Sequence, residues 1–325
     1  MRRRDVLFAA CLGAVAAPHQ VGAQRRTWRI GVLETAPLHL NQANMAAFME
    51  RLRQLGYSDH ELKLDYKTSD AQDHALPQIV AELIALKPDI LLVRGSPEVL
   101  AVKAATRTIP VVMSAVADPV GIKVAESLTH PGGNITGMAS TPLEIETKRI
   151  GYLKQIVPNL KRFASLADFR NPVIHLQWEE VVTASKVLGL EPVKFDVRNA
   201  SDMHAAFEAA VARHQVHGVR VGVDGTTRTH RRLLVDLAAR NKLPAVYSAR
   251  EFAEDGGLLS YSPDYRDLYV RAAHYVDRIF KGARPADLPI ELPSKFELVI
   301  NQRAATAIGV EVSPHLIASA DQVIE

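Results

Sequence analysis

Polar side chains recur just past the ends of apolar runs in this sequence. Thr35 follows the run from Trp28 to Leu33, Ser96 follows Ile90 to Val93, and Asp118 follows Ile109 to Val116. Further on, Asp168 and Asn171 follow Arg162 to Ala167, Asp224 follows His217 to Val223, and Ser248 with Glu251 follow Leu243 to Tyr247. β-Branched apolar runs bounded by turn residues read as buried strands. In open parallel sheets, ligands sit outside the carboxyl ends of such strands. Helices starting behind Ser96 and Asp118 would offer backbone N–H groups to a ligand carboxylate. Asp224 or Glu251 could pair with a ligand ammonium. Each residue alone is commonly a cap; their convergence on one crevice is the signal.

Catalytic patterns are absent from the sequence. No Gly-x-Gly-x-x-Gly follows the first strand, and there is no Walker loop and no Gly-x-Ser-x-Gly elbow. The twelve histidines form no His-Glu-x-x-His set, and His214 and His217 sit where a helix end meets a strand start, which suits a solvated face. No metal and no cofactor is expected. Asp224-Gly225-Thr226-Thr227 could hold a catalytic Asp, although the same four residues suit a turn. A hydrolase or isomerase built on Asp118 or Asp224 would lack a nucleophile–base pair.

The elements that must position these groups alternate. Strands are predicted at Trp28–Leu33, Leu62–Tyr66, Ile90–Val93 and Ile109–Val116, with helices at Gln42–Leu55, Leu76–Leu86 and Glu98–Thr106 between them. Asp118-Pro119 breaks the fourth strand, and Asp118 would cap a short helix from Val120 to Leu128 before the turn Pro131-Gly132-Gly133-Asn134. That stretch reads either as a plain strand-to-helix connection or as one rim of a cleft. A helix at Glu144–Ile156 stops at Pro158, and the rhythm restarts from Arg162. Two βα series of domain size predict an α/β protein of two Rossmann-like lobes with a hinge and a central cleft. The expected division is 24–159 plus 262–325 for lobe 1 and 160–261 for lobe 2, with hinge crossings near Leu160 and Tyr261.

Residues 1–23 read as a signal peptide. Arg2-Arg3-Arg4 is a basic start, Val6 to Ala17 an apolar region, and Val21-Gly22-Ala23 a small-residue cleavage site. The twin-arginine pattern is incomplete, so Sec and Tat export both stand. Lipidation at Cys11 is disfavoured because the apolar region runs past it. The chain holds 39 Lys+Arg and 36 Asp+Glu; removing three Arg and one Asp with the leader leaves 36 and 35, a net of +1. A nearly neutral mature chain offers no nucleic-acid surface. Its one cysteine lies in the leader, so the rest has no disulfide or thiol chemistry. Outside the N-terminus no apolar run is long enough to span a bilayer.

Ala117-Asp118-Pro119-Val120-Gly121, taken with Pro131-Gly132-Gly133-Asn134-Ile135-Thr136-Gly137, resembles the signature of a bacterial family of ABC-transporter substrate-binding proteins of the tryptophan/tyrosine type. The stretches Leu243 to Phe252, Gly256 to Tyr261, Lys281 to Pro289 and Lys295 to Asn301 match as well, so the resemblance covers residues 24–325. Ile122-Lys123 and Thr129-His130 depart from the commoner Gly-Leu and Ala-Arg. The resemblance implies a type I periplasmic binding protein-like fold and a non-enzymatic, monomeric periplasmic protein. Such a protein binds a small molecule, of amino-acid or aromatic-carboxylate type, and delivers it to an ABC permease in the inner membrane. It also implies Ser96, Asp118, Asn171, Asp224 and Tyr261 as cleft residues, beside Thr35, Ser248 and Glu251 read from the strand ends. A ligand sensor of the same fold, presenting its closed state to a membrane receptor, is the alternative.

Overall fold

The computed structural model describes residues 26–70, 72–141 and 145–325; the expected leader, with Cys11, lies outside them. The first lobe is a five-stranded parallel sheet in the order β2-β1-β3-β4-β5. Its strands are β1 (Trp28–Glu34), β2 (Leu62–Thr68), β3 (Ile90–Arg94), β4 (Val111–Val116) and β5 (Ile135–Ala139), with α1 (Leu38–Gln54), α2 (Leu76–Ala85) and α3 (Ser96–Ala105) as crossovers. Side-chain alternation sorts the two faces. Ile30, Val32, Ile90 and Leu92 pack with Met45, Phe48 and Leu52 of α1. Leu33, Leu91 and Val93 pack with Val80, Leu83, Val99 and Val102 of α2 and α3.

In the second lobe a seven-stranded sheet runs in the order β12-β11-β10-β9-β8-β6-β7. It is built from α4 (Ile145–Ile156), β6 (Arg162–Ala167), α5 (Pro172–Leu188), β7 (Glu191–Asp196), α6 (Ala200–Ala212), β8 (Val219–Val221), α7 (Gly225–Thr229), α8 (Arg231–Arg240), β9 (Ala245–Tyr247), α9 (Arg250–Glu254) and β10 (Leu259–Pro263). The chain then gives α10 (Tyr265–Phe280) to the first lobe, where it lies against α1, β4 and β5. It returns as β11 (Phe296–Asn301), α11 (Gln302–Ile308), α12 (Pro314–Ala318) and β12 (Gln322–Ile324).

This return corrects the expected lobe boundaries. β11 pairs antiparallel with β10, Leu259 opposite Ile300, and extends the second sheet rather than the first. The driving force is burial: Leu298 and Ile300 join Leu259 and Tyr261 in one apolar cluster. α4 also belongs to the second lobe, since Ile150 and Leu153 pack with Phe163 and Val181. The chain therefore passes between lobes after β5, between β10 and α10, and before β11. The crossings are tied side by side: Ala139 N donates to Glu291 O at 2.9 Å, and Asp264 N donates to Lys295 O at 3.1 Å. Leu160 is buried inside the second lobe and is no crossing, whereas the crossing expected near Tyr261 lies just beyond it, at Pro263-Asp264.

The helix expected from Val120 to Leu128 is a series of turns. Asp118 takes a positive φ of 38°, and the N–H groups of Val124 and Ala125 both donate to Pro119 O, at 2.8 and 3.0 Å. Ile122, Val124 and Ala125 are buried against the first lobe. Tight winding around Pro119 buries these side chains in a stretch whose β-branched residues and Gly121 favour a helix poorly.

Candidate functional site

A crevice lies between the lobes, with about 620 Å³ of empty space when the open solvent at its mouth is included. Strand ends from both sheets line it. Thr35 follows β1, Arg94 closes β3, Ser96 opens α3 and Ser140 follows β5; opposite them stand Asp168 and Asn171 after β6 and Asp224 after β8. Gly95 makes the turn into α3. Its φ is 100°, and a Cβ there would lie 2.4 Å from Thr35 Cγ2 and 2.1 Å from Glu98 Oε2, so only glycine fits. Ser96 thereby begins α3 directly at the cleft, with the positive end of the helix behind it.

Two carboxylates of the second lobe sit side by side in different states. Asp168 accepts from Thr226 Oγ1 at 2.7 Å and from Arg170 Nε at 2.9 Å. Burial pushes its carboxyl up, but these bonds outweigh burial and hold it below the usual range. Asp224 Oδ1 accepts from Thr227 N at 2.7 Å and Oδ2 from Asp168 N at 3.1 Å. Burial dominates there, the charge of Asp168 adds to it, and the carboxyl is pushed up to about 6. Asn171 caps α5, its Oδ1 accepting from Val173 N at 3.3 Å, with Pro172 suited to the first helical position.

The first lobe contributes a buried polar network. Arg94 Nη1 donates to Asn41 Oδ1 at 3.0 Å, and its guanidinium lies 4.5 Å over the Tyr265 ring. Asn41 Nδ2 donates to the Tyr269 hydroxyl at 3.0 Å, and that hydroxyl donates to Glu34. Burial raises the Glu34 carboxyl, against the pull of Arg94. From the second lobe, Arg228 Nη1 reaches across to Thr35 Oγ1 at 3.3 Å. Burial and the charge of Arg94 lower the Arg228 pKa from its ordinary value.

Thr35, Ser96, Asn171 and Asp224 thus meet at the cleft, and Asp118, Ser248, Glu251 and Tyr261 do not line it. Asp118 turns its carboxylate back on its own loop, Oδ1 accepting from Gly121 N at 2.8 Å. Ser248 is fully buried, and its carbonyl accepts from Arg149 Nη2 at 3.4 Å. Glu251 stands on the rim, 3.8 Å from Arg228 Nη2, and faces a neighbouring groove with Asn41 and Arg250. Tyr261 points into the second lobe, stacked on Phe296 at 5.8 Å and edge-on to Tyr152 at 5.3 Å. The alternation of β10 puts Tyr261 on the face packed against α4. Sequence reasoning missed Arg94, Arg228, Ser140 and Tyr265. Arg94 had a signal, a lone charge closing an apolar strand directly before Gly95-Ser96.

Known proteins share this arrangement over most of its length. A structure from Streptococcus pneumonia, an ABC domain in complex with L-Trp, superposes with a TM-score of 0.85 and 26% identity, covering 92% of this chain and 100% of that one. A conserved domain protein of Vibrio cholerae gives a TM-score of 0.86 at 26% identity and the same coverage. A tyrosine-binding protein of Clostridioides difficile is 24% identical over 265 residues, 81% of this chain and 76% of the relative. The fold is that of type I periplasmic binding proteins, and family membership points to solute binding rather than catalysis. With residues 39–324 matching the model for ABC transporter substrate binding proteins, the chain belongs to that family.

Proposed function

We propose that this chain is the exported solute-binding component of an ABC importer, and that it carries a small zwitterionic solute of amino-acid type to a permease in the inner membrane. The observation that carries the reading is the shared lining of the cleft: Thr35 and Ser96 face it from one lobe, Asn171 and Asp224 from the other. The first turn of α3, with the Ser96 hydroxyl, suits a ligand carboxylate. Asp168 and Asp224 suit its ammonium. A ligand touching both walls stabilises the closed arrangement over any open one, which is how binding would be signalled to a permease. The L-Trp bound in the pneumococcal relative and the tyrosine-binding relative support an amino acid as cargo. The mature protein acts as a monomer in this reading, with one cleft per chain.

Titration calorimetry and thermal melts against the common amino acids and aromatic carboxylic acids test the proposal. A solute at a hundred times its Kd adds about 2.7 kcal/mol to stability and raises the melting temperature by about 5 °C. If no member of the panel binds or shifts the melt, the proposal falls.

A further inference from the structure

The cleft holds two arginines that have no carboxylate within hydrogen-bond distance among the described residues, Glu251 standing 3.8 Å from Arg228, and this bears on which solute it takes. We propose, resting on the reading above, that Arg94 and Arg228 form a two-sided anion subsite. The solute would then carry an anionic oxygen group, carboxylate or phosphate, besides the carboxylate met by α3. Arg94 is 4% exposed and Arg228 6%, and both line the same cavity from opposite lobes. A guanidinium offers five N–H donors. Arg94 gives one to the neutral amide oxygen of Asn41 at 3.0 Å, and Arg228 gives one to the Thr35 hydroxyl at 3.3 Å. Among the described residues no carboxylate lies within hydrogen-bond distance of either. Glu251 stops at 3.8 Å from Arg228, and Glu34 Oε1 accepts from the Tyr269 hydroxyl.

Burying a charge is costly unless it is paired and hydrogen-bonded, and here two like charges share one cavity. Their repulsion adds to burial in lowering the Arg228 pKa. An anion between them turns repulsion into two attractions, one to each lobe, and so favours closure. Arg94 is pre-oriented for this. Its guanidinium lies on Tyr265, and Asn41, which holds it, is itself held by Asn44 Nδ2 at 2.9 Å and bonded to Tyr269. A stacked, fixed fork suits bidentate recognition of carboxylate or phosphate. A neutral aromatic side chain in the same place would leave both guanidinium groups without a carboxylate at hydrogen-bond distance.

Titration calorimetry of the mature chain with L-glutamate, O-phospho-L-serine, L-tryptophan and L-tyrosine tests the assignment. We expect one of the two acidic solutes to bind at least about tenfold tighter than either aromatic one, and the tighter of the two identifies the anion. The Arg228→Met variant should lose about 100-fold for that solute. Arg228→Lys, which keeps the charge without the fork, should lose about tenfold; it serves if the Met variant fails to show a native circular dichroism spectrum. Tight binding of tryptophan or tyrosine with neither acid bound overturns the subsite and leaves the solute-binding reading intact. Binding of none of the four overturns the amino-acid reading and the subsite with it. An acidic solute that binds equally well to wild type and both variants also overturns the subsite.

Discussion

Replacing Glu146 by glutamine should destabilise the second lobe more than any exposed substitution, and the structure gives the size. Glu146 is fully buried between two arginines that are themselves buried. Its Oε1 lies 2.6 Å from Arg149 Nη1 and 2.6 Å from Arg220 Nη2, and its Oε2 accepts from Arg220 Nε at 2.9 Å. Arg149 in turn donates to Tyr261 O at 2.8 Å and to Ser248 O at 3.4 Å. The cluster therefore ties α4 to β8, to β10 and to the turn that leads into α9. Removing one partner of a buried ion pair costs about 3–5 kcal/mol, since the other charge stays buried. A second route gives a similar figure. Burial pushes the Glu146 carboxyl up, yet Arg220 and then Arg149 overcome it and hold it at about 2 against an ordinary 4.5. At about 1.4 kcal/mol per unit, this is about 3 kcal/mol in favour of the folded state. Glu146→Gln should lower the melting temperature by about 10 °C at neutral pH. A carboxyl depressed on folding stabilises fully above its unfolded value and loses that contribution as pH falls toward the folded one. The gap between wild type and variant should therefore be full at pH 7 and shrink between pH 4.5 and 3. Calorimetric melts at pH 7, 5 and 3 read it. A gap under 2 °C at pH 7, or one unchanged at pH 3, would refute the reasoning.

Other outcomes follow from the cleft and its surroundings. Asp224, pushed up to about 6, is ionised above that value, so binding of an ammonium-bearing solute should weaken about tenfold from pH 7 to pH 5; calorimetry with Asp224→Asn should show the pH dependence gone. Asp118→Ala removes the bond to Gly121 N and leaves alanine at a φ of 38°, so stability should fall by about 1–2 kcal/mol, while solute affinity, measured by calorimetry, stays within about twofold because Asp118 does not line the cleft. Thr35→Val removes the hydroxyl that meets Arg228 across the lobes, a bond worth about 1 kcal/mol, and small-angle scattering of the ligand-free protein should show a larger radius of gyration than wild type.

Much of the fold was legible because local signals agreed with tertiary demands. Ile90–Arg94 and Val111–Val116 are buried throughout, as continuous β-branched runs imply. Gly189 ends α5 in the left-handed conformation, as a glycine after a periodic helix suggests. What failed was long-range. The apolar run Phe296–Ile300 suits a strand, but nothing in its pattern says which sheet's open edge it joins, and β10 supplies that edge. The Val120–Leu128 stretch failed locally: Asp118-Pro119 is a good helix start by type, yet the apolar residues after it gain more by being buried in tight turns.

The site divides along the same line. Thr35, Ser96, Asn171 and Asp224 each follow a strand that points at the cleft, so position along the chain was enough to find them. Ser248 follows β9 in the same way, yet there the carbonyl is engaged by Arg149 and the side chain is sealed inside the lobe. Tyr261 turned on parity within β10, where a shift of one residue exchanges cleft and core. Arg94 and Arg228 have no shared local signal. One closes a strand, where a charge reads as a terminator. The other lies on a five-residue helix, where a charge reads as a solvated face. They become a pair only when two lobes, folded from segments 134 residues apart by their numbering, meet across the cleft. Strand ends thus announce what lines the cleft, while the charges that would choose among solutes are fixed by how the lobes close, and local pattern does not encode that.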